Sequence, residues 1–173
     1  AGDAVRLMSI HASKGLEFPV VAVAGLGNRF NTGDLSREVL IDEARGLCPV
    51  VLGADGGRYP SWPLWCAVPG QRRGLLGEEL RLLYVALTRA AEWLLLFGTS
   101  SATSASKWEP SRGPLTPARV EAASSPLHWL GPVFLDLTGE PAWEVGGAGS
   151  NTLVAWHTWT GTVDAADAGG GPP

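Results

Sequence analysis

The chain has 173 residues, room for one ordinary domain with a hydrophobic core, and 45% of them are apolar at a net charge of −4. No apolar run approaches the roughly 20 residues that cross a bilayer, which excludes a helical membrane anchor within this sequence. The mild acidity gives no general affinity for polyanions, so any nucleic-acid role must rest on local motifs.

The chain opens without an initiator Met or the basic end and apolar centre of a secretory signal, and enters an apolar run at once, as an excised segment does. Val5–Ile10 and Pro19–Ala24 are short apolar runs of strand length. Two nearly continuous hydrophobic strands this close together predict an α/β fold with a parallel sheet covered on both faces. His11-Ala12-Ser13-Lys14-Gly15-Leu16-Glu17-Phe18, between them, reads as a polar turn that coils into a brief helix. The stretch from Gly25 to Gly77 is rich in Gly and Pro and is expected to be a connection, with small edge strands at Val39–Ile41 and Val50–Leu52. Tyr59-Pro60-Ser61-Trp62-Pro63 is expected to be extended or turn-like, because proline disfavours helix in the residue before it.

Glu78 to Trp93 reads as an amphipathic helix. Leu80, Leu83, Tyr84, Leu87 and Ala91 share one face, which places Tyr84 in the core, and Glu78 and Glu79 occupy the first turn. Trp93–Phe97 is then a strand, stopped by Gly98. Beyond it Thr99–Ser106 reads as a loop, Pro126–Leu135 as a short helix, and Ala165–Pro173 as a disordered end. Cys48 and Cys66 make no CxxC pair or disulfide ladder, so two idle or buried thiols in a reducing cytoplasm are expected. Most of the eight Trp residues are expected in core and loop packing. Charge divides unevenly: residues 1–98 hold ten Lys or Arg against ten Asp or Glu, and residues 99–173 hold three against seven.

Two clusters offer chemistry. The loop from His11 to Glu17 sets small residues, a Lys, a Gly and a carboxylate beside a strand. Such a loop can bring backbone N–H groups and a cation to phosphate and an acid to a ribose hydroxyl, or it can be a tight turn with solvated charges. Thr88-Arg89, at a helix end, is either a guanidinium comfortable beside a C-terminal dipole or an arginine finger aimed at a γ-phosphate. No GxxxxGK[ST] phosphate cradle is present, and Gly146-Gly147-Ala148-Gly149-Ser150 lacks its lysine. His11, His128 and His157 are too scattered for zinc, and Asp136, Glu140 and Glu144 show no metal-ligand pattern and read as solvated charge.

The wording of both clusters is specific. Val5-Arg6-Leu7-Met8-Ser9-Ile10-His11-Ala12-Ser13-Lys14-Gly15-Leu16-Glu17-Phe18-Pro19-Val20-Val21 resembles motif V of superfamily 1A helicases, the UvrD and RecB group. Glu79-Leu80-Arg81-Leu82-Leu83-Tyr84-Val85-Ala86-Leu87-Thr88-Arg89-Ala90 resembles their motif VI. Ala24-Gly25-Leu26-Gly27-Asn28-Arg29-Phe30-Asn31 and Tyr59-Pro60-Ser61-Trp62-Pro63 are similar to the text of the AddA group of helicase–nuclease proteins. Lys107-Trp108 and Trp129-Leu130-Gly131-Pro132 echo features found downstream of motif VI in that group. The chain departs from the pattern at Glu92, where a basic residue is usual.

The resemblance implies part of a RecA-like second motor domain of the P-loop NTPase class, followed by an irregular tail. Residues 1–98 would carry motifs V and VI, 99–135 would connect toward a nuclease domain, and 136–173 would be a flexible tail. It implies ATP as cofactor, bound by Gly15, Glu17 and Arg89, with Glu17 on the ribose and Arg89 as the catalytic finger. The Mg²⁺ ligands would lie outside the segment, and His11, Ser13 and Lys14 would touch single-strand phosphates. Arg81 and Tyr84 are expected to serve surface and packing. A bacterial cytoplasm, single- and double-stranded DNA and an AddB-like partner subunit follow from the same resemblance. The alternatives are a UvrD/Rep-type helicase without nuclease and a non-catalytic DNA- or protein-binding module.

Overall fold

A computed structural model of the chain describes residues 4–108, 113–139 and 147–159. Its centre is a long helix, α1, over Trp62–Leu87, and two small sheets pack against different halves of it.

The helix begins sixteen residues before the expected start at Glu78. Ser61 caps it, its hydroxyl accepting from the backbone N–H of Leu64 at 3.4 Å, and Pro63 sits in the first turn, where no N–H partner is needed. Pro69 and Gly70, Gly74 and Gly77 then lie inside the helix. Each glycine costs about 1 kcal/mol and an interior proline about 3. Burial of Leu64, Ala67, Leu76, Leu83 and Ala86 along the same helix offsets that cost.

On the N-terminal half of α1 lies a three-stranded antiparallel sheet of β2 (Val39–Asp42), β3 (Gly46–Leu52) and β4 (Arg58–Pro60). Both expected strands are present, but β3 is longer than Val50–Leu52 and is the middle strand rather than an edge; β4 starts the stretch expected to be extended, which at Trp62 and Pro63 is already helix. Alternate residues face the helix: Leu40 and Cys48 are buried with Leu64 and Ala67, and Val50 and Val68 pack at the margin. The other face carries Val39, Ile41, Leu47, Val51 and Tyr59, all exposed, and register pairs Ile41 with Leu47 and Val51 with Tyr59.

On the C-terminal half, β1 (Phe18–Val23) pairs in parallel with β5 (Ala90–Leu96), Phe18 opposite Ala90 and Val23 opposite Leu96. Of the parallel sheet expected, this pair is what the described residues form. Val5–Ile10 is not a strand: Val5 and Leu7 are fully exposed, and among the described residues no strand pairs with them. An apolar run of strand length becomes a strand only where another backbone meets its N–H and C=O groups.

Beyond β5, two short helices occur that the sequence does not predict, and the one it does predict differs in its limits. The segment read as loop holds a single-turn helix, α2 (Ala102–Ala105), and α3 (Pro117–Ala122) follows it. Helix α4 runs Pro126–Thr138, longer than Pro126–Leu135 by one turn, and ends on Gly139 at φ +73°. α4 delivers Leu127, Trp129 and Leu135 into one core with Val23, Leu26, Phe30, Leu76, Leu83 and Trp108. Residues on both sides of position 98 thus share a core. Phe30 and Trp129 meet with ring centroids 4.8 Å apart, and the Trp129 indole N–H donates to the Val120 carbonyl at 3.2 Å.

Some expectations are corrected. Tyr84 is 67% exposed: the buried stripe of α1 passes through Leu76, Leu83 and Ala86, and Tyr84 lies beyond its edge. Ala91 lies on β5 rather than on the helix. Trp62, Trp65, Trp93 and Trp159 are mostly exposed, while Trp108 and Trp129 are core. Asp136 is not merely solvated, since its Oδ2 accepts from the Gly113 N–H at 2.9 Å. A short hairpin, β6 (Ala148–Ser150) with β7 (Ala155–His157), occurs within the stretch expected to be a tail. Glu140, Glu144 and Ala165–Pro173 lie outside the described residues. Both cysteines are free, Cys48 buried and Cys66 half-buried. Among the described residues no helix is long and apolar enough to cross a membrane.

Candidate functional site

Because β1 and β5 are parallel and in register at Phe18 and Ala90, the loops that enter them emerge at the same edge. One is the His11–Glu17 loop; the other is the end of α1 carrying Thr88 and Arg89.

The first loop is shaped by local hydrogen bonds. Ser13 is buried, its hydroxyl donates to the Ile10 carbonyl at 2.7 Å, and its backbone N–H donates to the same carbonyl at 3.1 Å. The N–H of Lys14 reaches the His11 carbonyl at 3.3 Å and that of Leu16 the Ser13 carbonyl at 3.0 Å. These close a 3₁₀ turn over His11–Ser13. Gly15 at φ +81° then turns the chain into β1; a side chain there would meet open space, so the backbone angle is what requires glycine. His11, Lys14 and Glu17 are exposed. Of the three residues expected on DNA phosphates, His11 and Lys14 are available to solvent, and Ser13 is spent on the turn.

The second loop starts where α1 ends. Thr88 caps the helix: its N–H donates to the Tyr84 carbonyl at 3.1 Å, and its Oγ1 lies 2.9 Å from that oxygen and 3.1 Å from the Val85 carbonyl. Arg89 is half-buried and clasped. Nε donates to the Val85 carbonyl at 3.0 Å, Nη2 to Thr88 Oγ1 at 3.0 Å, and Nη1 to the Leu16 carbonyl at 2.9 Å. The Arg89 carbonyl accepts from the Phe18 N–H at 3.0 Å. Glu17 therefore stands between two residues that are both bonded to Arg89. The structure brings Gly15, Glu17 and Arg89 together, with Lys14 beside them in sequence.

Sequence reasoning named Thr88 without giving it a role and missed the Leu16 carbonyl. A Thr before an Arg at a helix end is a legible sign of hydroxyl back-bonding, whereas a carbonyl acceptor has no side-chain signature. Arg81, about two turns earlier, is an exposed helix-surface residue paired with Glu78. Among the described residues no group of three or more His, Cys, Asp or Glu could hold a metal ion.

A cation held at one end of a parallel strand pair, next to a glycine turn and an exposed carboxylate, is an arrangement suited to a polyphosphate with a sugar attached. Residues 1–101 match the UvrD-like helicase C-terminal domain, and the chain belongs to that family. More particularly, it is similar to the A subunit of the ATP-dependent helicase/nuclease of Heliobacterium modesticaldum, 46% identical over 148 residues, which is 80% of this chain and 10% of that protein. The protein of the same name from Moorella thermoacetica is 47% identical over 139 residues, covering 76% of this chain and 10% of the relative. That from Bacillus licheniformis is 52% identical over 99 residues, covering 57% and 8%. The chain thus spans about a tenth of the length of the curated relatives it matches.

Proposed function

We propose that this segment supplies the second half of an ATP site, and part of a single-strand track, in an ATP-dependent DNA helicase and exonuclease. That protein would process double-strand ends for recombinational repair in the bacterial cytoplasm. The observation that carries the reading is the bond from Arg89 Nη1 to the Leu16 carbonyl, which joins the two helicase motifs into one site. In this reading β1, β5 and α1 belong to a RecA-like domain of the P-loop NTPase class. Residues 99–135 lead toward a nuclease domain, and an AddB-like subunit is the partner. The relatives are named as the A subunit of a helicase/nuclease, which favours this over a UvrD/Rep-type helicase without nuclease and over a binding module.

The residues fit a nucleotide. Arg89 engages three of its five N–H donors with protein oxygens, and among the described residues the other two have no acceptor. They would stabilise charge on the γ-phosphate as phosphoryl transfer proceeds. Glu17, exposed and adjacent, would accept from a ribose hydroxyl, and Gly15 would let the backbone approach. ATP, when bound, supplies the phosphoanhydride whose hydrolysis drives movement, and its Mg²⁺ would be held by residues beyond this segment. His11 and Lys14 would contact strand phosphates, with Ser13 fixing the turn that presents them. Because both contacts share one loop, a shift of Arg89 on the nucleotide side moves the strand side as well.

The test is DNA-stimulated ATPase in the full-length protein that carries this segment. Arg89→Ala is expected to lower kcat by about a hundredfold or more, and Glu17→Ala to depress turnover strongly. Near-normal turnover in Arg89→Ala sinks the finger assignment.

A further inference from the structure

We infer that Thr88 is a positioning residue for Arg89, an inference that rests on the nucleotide-site reading above and adds a residue to it. The Thr88 hydroxyl stands between helix and guanidinium. Its oxygen accepts from Arg89 Nη2 at 3.0 Å, and its proton is directed at the Tyr84 carbonyl at 2.9 Å or the Val85 carbonyl at 3.1 Å. These carbonyls belong to the last turn of α1, at the negative end of the helix dipole, and that of Tyr84 also takes the Thr88 N–H.

An arginine side chain ordinarily spreads over many rotamers, so a guanidinium that must meet a developing charge needs its plane fixed in advance. Here each of its three nitrogens has a separate acceptor: Nε on Val85, Nη1 on Leu16 and Nη2 on Thr88. Two acceptors are backbone oxygens, which no substitution removes. Thr88 Oγ1 is the one supplied by a side chain, and it belongs to the neighbouring residue, so it turns with Arg89 as a unit. The hydroxyl matters as an acceptor toward Arg89 and as a donor toward the helix. Serine keeps both properties; valine keeps the shape and β-branch and loses both.

The experiment measures kcat and KM for ATP in the full-length protein with DNA saturating. Thr88→Val is expected to lower kcat about tenfold with KM changed less than about twofold, and Thr88→Ser to return kcat to within about twofold of the parent. In an Arg89→Ala background, Thr88→Val is expected to add no further loss, because a residue acting through Arg89 has nothing left to position. Equal kcat in the parent, Thr88→Val and Thr88→Ser proteins overturns the inference. So does a further tenfold loss on the Arg89→Ala background, which marks Thr88 as structural. If Arg89→Ala itself turns over normally, it is the nucleotide-site reading that fails. Should Thr88→Val not fold, Thr88→Ala, measured alone and on the Arg89→Ala background, is read by the same criteria.

Discussion

Arg89 Nη1 donates to the carbonyl of Leu16 at 2.9 Å across 73 positions of sequence, and the Arg89 carbonyl takes the Phe18 N–H in return at 3.0 Å. The two bonds flank Glu17 and lock the entrance of β1 to the entrance of β5. A side chain that binds a loop's backbone does more than present its own charge: it sets where the loop's other groups lie.

Arg89→Lys should separate charge from geometry. An ammonium cannot reproduce three bonds from three separated nitrogens. The expected result is loss of amide protection over Leu16–Phe18 in hydrogen exchange, together with an ATPase kcat at least about tenfold below the parent. Unchanged protection in the variant would show that the strand pair holds this loop without the guanidinium.

Gly131 faces the indole of Trp108 inside the shared core, and a Cβ there would overlap its ring atoms. Trp108 is 2% exposed and has nowhere to move without opening the contact with α4. Gly131→Ala is expected to destabilise by about 1–3 kcal/mol despite alanine's better helix propensity. Thermal or urea unfolding reads this directly, and a higher midpoint in the variant contradicts it.

His128 is held below the ordinary histidine range by partial burial first, and then by the positive charges of Lys107 and Arg29. Its Nδ1 lies 3.3 Å from the Ser124 N–H, a donor that only an unprotonated nitrogen can accept. The folded value lies below the unfolded one, so the unfolded chain takes up the proton first. Stability is therefore full above about pH 6.5 and falls as pH drops through the folded value. A histidine NMR titration should place the His128 midpoint under 6.5, and His128→Gln should flatten the pH dependence of unfolding across that interval.

Ile41 and Leu47 are cross-strand partners on the uncovered face of the antiparallel sheet, 75% and 69% exposed. With Val39, Val51 and Tyr59 they form an apolar surface of the sort that promotes association. Ile41→Lys with Leu47→Glu, opposite charges at opposed positions, should reduce self-association of the 173-residue chain in sedimentation while leaving its melting point within a few degrees. A large fall in melting point would mean that this face is covered in solution.

What the sequence revealed of this fold depended on whether a signal was local. The loop from His11 to Glu17, the second half of α1 and the turn at Thr88-Arg89 are continuous words, and periodicity or wording exposes each. The first half of α1 is hidden because Pro69 and Gly70, Gly74 and Gly77 read as breakers, and the burial that offsets their cost, such as Leu64 and Ala67 meeting a sheet made elsewhere, is not a local signal. Val5–Ile10 erred in the other direction: its composition suits a strand, but pairing is a property of two segments. Tyr84 fits the helical stripe by count and misses it by angle. Within the site, the expected residues converge, but Ser13 faces inward, and the acceptors that fix Arg89 are mostly backbone oxygens that carry no letter of their own.

Three of the four helix-weakening residues in α1, Pro69, Gly70 and Gly74, fall between the two cores, since Ala67 belongs to one and Leu76 to the other. The rod is thus thinnest, energetically, at its joint. Heat or denaturant need not take both ends at once: the antiparallel half can come apart while the half bearing Arg89 stays assembled, giving a broadened or two-step transition in place of a single cooperative one.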